Sequence, residues 1–511
     1  MSDSGASSQP LPVQLGIVGC GVMGRGIAQI AALHGARVRL FDANAGAAAQ
    51  AKATLTETFA MLVGRGKLAD SLAADANDAL QVCHLIDELA PCELVIEAIV
   101  EQLDAKRTLF RALEAIVAPE AILATNTSSL SVTAIAAGLQ SPQRVAGFHF
   151  FNPVPLMKIV EVIGGLLTAP QVLDRLQALG TAWGHTAVRA KDTPGFIVNH
   201  AGRGFGTEGL RILSEGVVDI ATLDAILRDA AGFKLGPCEL MDMTGLDVSH
   251  PVMESIYHQY YEEARFRPQG LTRQMLSAGL LGKKTGRGFY TYDASGKKVP
   301  AAVAAKIAPA SAPPVPLWLS WARPELAQRV AANGITVERG ASPSPQAVCL
   351  VTPLGEDCTT CAVREGLDPH RTLAIDALFD NPTHHVLMTN PATEAAAVAA
   401  ASAALGANGA RIRVIRDSAG LIAQRVVAHI VNIACEIAQQ GVASPSDIDH
   451  AVLLGLGYPH GPLAWGDRLG PSTVLTVLRN LHEQSGDPRY RPSSWLARRA
   501  KLGLSLLQAE Q

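Results

Sequence analysis

The chain has 511 residues, too many for one hydrophobic core, and its length predicts three or four domains. Its 43 basic and 46 acidic residues leave a formal charge of −3, with no long basic run, which argues against nucleic acid or an anionic membrane surface as the main partner. No uninterrupted apolar stretch is long enough to span a bilayer. The polar opening, Met1 to Pro12, lacks the apolar core of a signal peptide and reads as a tail. Eight scattered cysteines suit a reducing cytoplasm rather than a disulfide framework.

The first element is a short apolar run, Leu15 to Val18, which reads as a buried parallel strand. Gly19, Gly21 and Gly24 follow, enclosing Val22 and Met23, and a helical pattern runs from Val22 to about His34. This is the spacing of a dinucleotide-binding turn. The first glycine makes the turn, the second lets a pyrophosphate approach the backbone, and the third lets helix and strand pack closely. The helix N-terminus offers N–H groups and partial positive charge to the phosphates. A second strand, Ala36 to Phe41, ends in Asp42, 18 residues after Gly24. A carboxylate there accepts a hydrogen bond from the adenine-ribose 2′-OH and repels a 2′-phosphate, so NAD is expected rather than NADP.

An Ala-rich helix follows, Gly46 to Val63, carrying Thr58 and leading to Arg65 and Lys67. These either end a solvated helix or touch a phosphate-bearing ligand. Glu93 to Glu97 is a further strand. Glu101 lies just beyond it and Lys106 on the next helix, where they could face a cofactor or form an ordinary helix-start pair. Ala121 to Thr125 is another strand and ends in Asn126-Thr-Ser-Ser129, whose hydroxyls lie at the same crevice or cap the next helix.

The second informative stretch is Val145-Ala-Gly-Phe-His-Phe-Phe-Asn-Pro-Val-Pro155. His149 lies in its apolar strand, and Glu161 lies on the following one, Lys158 to Ile163. Adjacent strands could bring the carboxylate to the imidazole. Such a pair fixes the tautomer and stabilises the imidazolium, as a base that deprotonates a hydroxyl requires. The alternative is a core histidine with a satisfied hydrogen bond. Ala190-Lys-Asp-Thr-Pro-Gly-Phe-Ile-Val-Asn199 then opens a helical region reaching about Gly279. Gly282-Lys-Lys-Thr-Gly-Arg-Gly-Phe-Tyr290 closes it, and residues 294–316 read as a linker.

The tail repeats the helical region at a constant offset of 225. Asp192 returns as Asp417, Asn199 as Gln424, Asp224 as Asp449, Gly236-Pro237 as Gly461-Pro462 and Asp242 as Asp467. The preceding block, about 317–416, has α/β texture, with strands expected at Gln346 to Thr352 and His385 to Thr389. It contains no Gly-x-Gly-x-x-Gly and no counterpart of His149, so one active site per chain is expected, with a structural second half. Cys358-Thr-Thr-Cys361 has no second ligand pair at zinc spacing, and no metal is expected.

Gly-Cys-Gly-Val-Met-Gly, Glu-Ala-Ile-Val-Glu, Asn-Thr-Ser-Ser-Leu, His-Phe-Phe-Asn-Pro-Val-Pro, Lys-Asp-Thr-Pro-Gly-Phe-Ile-Val-Asn and Gly-Lys-Lys-Thr-Gly-Arg-Gly-Phe-Tyr stand in one order across residues 13–292. In this the chain resembles the (S)-3-hydroxyacyl-CoA dehydrogenases. The duplicated tail narrows the resemblance to long bacterial 3-hydroxybutyryl-CoA dehydrogenases, which include those for 3-hydroxyadipyl-CoA in phenylacetate degradation. The resemblance implies an α/β fold with four segments. These are an NAD-binding Rossmann domain (13–190), a helical substrate and dimerisation domain (191–293), a degenerate Rossmann-like domain (317–416) and a second helical domain (417–511).

No N-terminal enoyl-CoA hydratase domain is expected, since the chain opens at the nucleotide fold. By resemblance His149 is the catalytic base and Glu161 its partner, and Ser128 and Asn199 hold the substrate's oxygens. The glycine turn with Val22 and Met23, together with Asp42, Glu101, Lys106, Ser128 and Asn152, contacts NAD. Thr58 and Arg65 fall where the family, often with Ser and Lys, contacts coenzyme A. The substrate would enter between the first domain and the helices after Lys191. The helical module would either pair two chains as a homodimer or be buried within one. A dehydrogenase of free 3-hydroxy acids and a non-catalytic NAD-binding scaffold are the rival readings.

Overall fold

The computed structural model describes residues 13–300, 315–319, 324–332, 334–338, 340–379 and 381–510. The expected tail before Val13 and most of the expected 294–316 linker lie outside them. The chain divides into two compact units that cut across the four expected segments. The first takes the chain up to His200 together with Gln440–Leu456, and the second takes Ala201–Gln439 and Gly457 onward.

The first unit is built on strands β1 (Gln14–Val18), β2 (Arg37–Phe41), β3 (Leu80–Val82), β4 (Leu94–Glu97), β5 (Ile122–Thr125), β6 (Val145–Phe150), β7 (Ile159–Gly164) and β8 (Thr186–Lys191). Their order in the sheet is β3-β2-β1-β4-β5-β6-β7-β8. Every residue of β4, β5 and β6 is buried, as continuous apolar runs in a sheet covered on both faces should be. The strand order reverses around β1, flanked by β2 and β4. A doubly wound sheet binds its ligand at such a reversal, and the Gly19–Gly24 turn follows β1 there. One pair departs from the parallel pattern. Residues 151–158 are too short a connection for a crossover helix, so β7 turns back antiparallel to β6. That reversal sets His149 directly opposite Glu161 in the register.

The second unit carries β9 (Leu317–Leu319), β10 (Val337–Glu338), β11 (Val348–Val351), β12 (Thr372–Ile375), β13 (His384–Thr389) and β14 (Arg411–Ile415), ordered β10-β9-β11-β12-β13-β14. The internal repeat extends further back than the helices. β13 and β14 begin 225 residues after β7 and β8, and β12·β13 is again the antiparallel pair. At that offset Val386 stands for Glu161, and the register sets Asp376 opposite it, where the first repeat has His149. Gln424, the counterpart of Asn199, is tied into the structure. Its carbonyl accepts from the Gly355 N–H, and its amide donates to Pro353 O and Asp376 Oδ1.

The basic, glycine-rich loop that ends the first helical region is a structural lock. Asp242 accepts from the N–H groups of Phe289 and Tyr290 and from the Tyr292 hydroxyl, and Asp224 accepts from the Tyr290 hydroxyl. A Cβ at Gly288 would lie 2.1 Å from Asp242 Oδ1, so only glycine fits there. In the second copy Asp467 plays the same part, accepting from the Leu506 N–H and the Ser505 hydroxyl.

Helix Arg203–Ser214 and its repeat partner, helix Ile422–Gln439, pack on each other within the second unit. Gly204 permits the approach, since a Cβ there would stand 3.2 Å from Ile430 Cα. Helix Ile422–Gln439 is buried along nearly its whole length.

Polar groups are sealed in with it. Glu208 is met by Arg425 at 2.8 Å and by Arg489 at 3.2 Å, all three fully buried or nearly so. His429 is beside them, its Nε2 3.3 Å from Arg265 O. Burial, reinforced by the positive charge of Arg489, pulls its pKa down to about 4. The imidazole is therefore neutral in the fold, whereas an unfolded histidine takes up a proton near pH 6.5. The stability this provides is fully present above about pH 6.5 and is lost as pH falls toward 4, by roughly 3 kcal/mol. Glu208, held down to about 2, remains charged through that window. Thermal unfolding between pH 7 and 4 should show this loss, and a His429→Asn variant should flatten it.

Candidate active site

His149 is on β6 and Glu161 on β7, both buried. The imidazole Nδ1 lies 2.6 Å from Glu161 Oε2. The other carboxylate oxygen, Oε1, accepts from the backbone N–H groups of Ile197 and Val198, both at 2.9 Å. These N–H groups stand at the start of the short helix Val198–Ala201, where they have no partner inside the helix. A carboxylate held this way cannot swing away, and it accepts the Nδ1 proton. The imidazole is left with Nε2 unprotonated, the tautomer of a general base. The Phe151 ring packs 4.3 Å from the imidazole and Phe196 5.9 Å away, so one side of the histidine is dry. Phe196 adopts φ 49°, a conformation bulky residues rarely take and one often found at functional sites.

Several groups hold this pair from behind. Asn126 at the end of β5 accepts from the Phe150 N–H, pinning the end of β6. The Asn199 amide reaches Ser128 O at 3.3 Å, placing these two expected substrate contacts side by side. Asp192 accepts from the Ser131 hydroxyl and from the N–H groups of Val132 and Thr133, capping helix Val132–Ala136.

Glu101 and Lys106 form one cluster with Glu97. Glu97 is fully buried at the end of β4 and accepts from Lys106 Nζ at 2.5 Å and from the Thr125 hydroxyl at 2.7 Å. Lys106 also lies 3.2 Å from Glu101. Partial burial would raise the Glu101 pKa. The Lys106 charge and hydrogen bonds from Thr127, Ser128 and Ser129 outweigh it and hold the carboxyl below its ordinary value. Lys106 is buried and its ammonium is held between the Glu97 and Glu101 carboxylates.

The glycine turn fits a dinucleotide. Packing within the protein requires Gly19, at φ +95° and with a virtual Cβ 2.6 Å from Ala98 O, and Gly24, whose Cβ would lie 1.9 Å from Gly19 O. It does not require Gly21, where a Cβ would meet nothing within 4 Å. Space is thus open in front of helix Val22–Leu33, which no side chain caps. A pyrophosphate needs both. Val22 and Gly21 are exposed, Met23 is half-buried and Asn152 is exposed at the end of β6. The Asp42 carboxylate is positioned by the N–H groups of Cys20 and Asn44, both at 2.8 Å.

Thr58 and Arg65 are not part of the His149 cluster. The Thr58 hydroxyl bonds to Thr54 O within helix Ala47–Gly64, and Arg65 is exposed at that helix's C-terminus. Among the described residues, no group of three or more His, Cys, Asp or Glu is arranged to hold a metal ion. Cys358 and Cys361 are buried, which pushes both thiols up to about 12. Sequence reasoning passed over Glu97, Asn126 and Asp192. An acid closing the apolar strand Leu94–Glu97 was the one usable signal.

Two family models match the chain. The model described as "3-hydroxyacyl-CoA dehydrogenase, NAD binding domain" matches residues 14–193. The one described as "3-hydroxyacyl-CoA dehydrogenase, C-terminal domain" matches twice, at 195–292 and 420–508. The chain belongs to the 3-hydroxyacyl-CoA dehydrogenase family.

Its relatives include a 3-hydroxyadipyl-CoA dehydrogenase of Escherichia coli K12, 38% identical over 95% of this chain and 97% of that one. A probable 3-hydroxybutyryl-CoA dehydrogenase of Bacillus subtilis is 39% identical over 55% of this chain and 97% of its own length. Among solved structures, a 3-hydroxybutyryl-CoA dehydrogenase from E. coli K12 superposes with TM-score 0.86 at 37% identity, covering 96% of this chain and 99% of that one. An (S)-3-hydroxybutyryl-CoA dehydrogenase from Ralstonia eutropha gives 0.53 at 36% identity, over 55% of this chain and 99% of its own. As a member of this family the chain is an NAD-dependent oxidoreductase of 3-hydroxyacyl-CoA thioesters.

Proposed function

We propose that this family reaction runs through His149, with Glu161 as its fixed partner, on a short 3-hydroxyacyl-CoA such as 3-hydroxybutyryl-CoA or 3-hydroxyadipyl-CoA. The observation that carries the reading is the 2.6 Å contact between the imidazole and a carboxylate whose other oxygen is locked by two backbone N–H groups. NAD, when bound, accepts hydride from the substrate's C3. The chain's own residues do the rest. His149 Nε2 takes the proton of the C3 hydroxyl, and Glu161 stabilises the imidazolium that results. Ser128 and Asn199 orient the hydroxyl and the thioester oxygen. The glycine turn, Asp42, Glu101, Lys106, Ser128 and Asn152 hold the dinucleotide, and Thr58 and Arg65 meet the coenzyme A portion.

All eight cysteines are free and buried, which suits a cytoplasmic setting. No described helix is long and apolar enough to cross a membrane. The test is NADH oxidation by the purified protein with acetoacetyl-CoA, beside the same assay with acetoacetate. Turnover is expected with the thioester alone. Turnover of the free acid would move the protein to a free hydroxy-acid dehydrogenase, and NADH binding without turnover of any acyl-CoA would leave a scaffold.

A further inference from the structure

The two repeats exchange a helix. Helix Pro445–Gly455 belongs to the second repeat by sequence, yet it lies in the first unit, packed on β7 and β8. Its counterpart 225 residues earlier, helix Ile220–Asp229, lies in the second unit. There Asp229 pairs with Arg413 on β14 and His384 on β13. One pair of backbone hydrogen bonds marks the exchange. The Lys191 N–H donates to Val442 O, and the Arg416 N–H donates to Val217 O, the same bond displaced by 225 in both partners.

In the first unit the exchanged helix ends on the catalytic pair's support. A Cβ at Gly455 would stand 2.9 and 3.0 Å from the two methyl carbons of Val198. Val198 is buried, its N–H is one of the two that hold Glu161, and Asn199 follows it. At the corresponding positions of the other exchange stand Ala230 and Ala423. The glycine and the bulkier valine are therefore paired only on the side that has His149.

We propose that Gly455, supplied by the second repeat, is a positioning residue of the active site in the first. By seating Val198 it sets the start of helix Val198–Ala201, and through those N–H groups it sets Glu161 against His149. This rests on the reading of His149 and Glu161 as the catalytic pair. It gives the C-terminal half, which lacks a histidine–glutamate pair at the matching positions, a direct part in the reaction.

The test is Gly455→Ala. Alanine is the better helix former, and Gly455 has no positive φ, so the 445–455 helix is not weakened by the change itself. The added methyl displaces Val198. The expected result is at least a tenfold lower kcat, an unchanged KM for NAD, and an acid limb of the kcat pH profile moved to lower pH as the imidazolium loses carboxylate support. Adding Val198→Ala recreates the Ala–Ala pair of the other exchange and should restore both kcat and the pH limb. Wild-type kcat and pH profile in Gly455→Ala, even with a lowered melting temperature, would make the helix a structural brace and overturn the proposal. A loss of kcat that Val198→Ala does not relieve would overturn it equally. A His149→Ala variant run alongside separates the two failures, because full activity there would remove the catalytic pair itself.

Discussion

His149→Ala should lower kcat by about 10²–10⁴-fold, the usual contribution of a general acid–base group, while NAD binding measured by fluorescence or calorimetry stays near that of the unaltered protein. The separation follows from the placement of the two sites. The glycine turn and Asp42 lie at the ends of β1 and β2, whereas His149 is on β6, three strands away from β1 along the sheet order. Glu161→Gln should cost nearly as much although it removes no proton acceptor from the substrate. A glutamine whose oxygen still accepts from Ile197 and Val198 presents its NH₂ group to Nδ1. The imidazole must then accept at Nδ1 and carry its proton on Nε2, where a base needs a lone pair. The double variant should be little worse than either single one, since the two residues act as a unit. Strictly additive losses in single-turnover assays would show that they act separately.

The second large effect concerns stability. Glu208→Leu should destabilise the second unit by about 3–5 kcal/mol, because it leaves two buried guanidinium groups without their carboxylate. Glu208 takes two bonds from Arg425, at 2.8 and 3.0 Å, one from Arg489 at 3.2 Å and one from the Tyr490 hydroxyl at 2.5 Å. None of the four side chains is more than a few per cent exposed. Replacing Glu208, Arg425 and Arg489 together by apolar residues of similar volume should recover most of that loss, since buried ion clusters are often matched by well-packed hydrophobic ones. Urea denaturation of the three proteins decides the matter. A single variant as stable as the unaltered chain would mean that water reaches the cluster.

Much of the fold was legible because its signals are local. Leu15 to Val18, the glycine spacing and Asp42 fall within one strand–helix–strand unit, and periodicity and turn chemistry suffice to read it. The approach of His149 to Glu161 was legible too, because a short connection between two apolar strands permits few arrangements. Lys106 shows where such reading stops. Its place near a strand end suggests a cofactor contact, and nothing local reveals that it also meets the buried carboxylate of Glu97. The helix exchange was hidden for another reason. The offset of 225 identifies Pro445–Gly455 as a copy of Ile220–Asp229, but an equivalent sequence has the same pattern whichever sheet it packs on. The Gly455–Val198 contact is a matter of shape between residues far apart in the chain.

The exchange also bears on how the protein is made. A ribosome releases the chain N-terminus first, and the nucleotide-binding sheet can begin to form long before residues 440–456 emerge. At roughly 5–20 residues per second, the interval between residue 200 and residue 440 lasts about 10–50 s. Through that time the edge strand β8 has no partner for the Lys191 N–H, and β7 lacks the helix that later covers it. An uncovered strand edge invites pairing with other chains. The edge of the nascent first sheet is thus covered only when the end of the message has nearly been read.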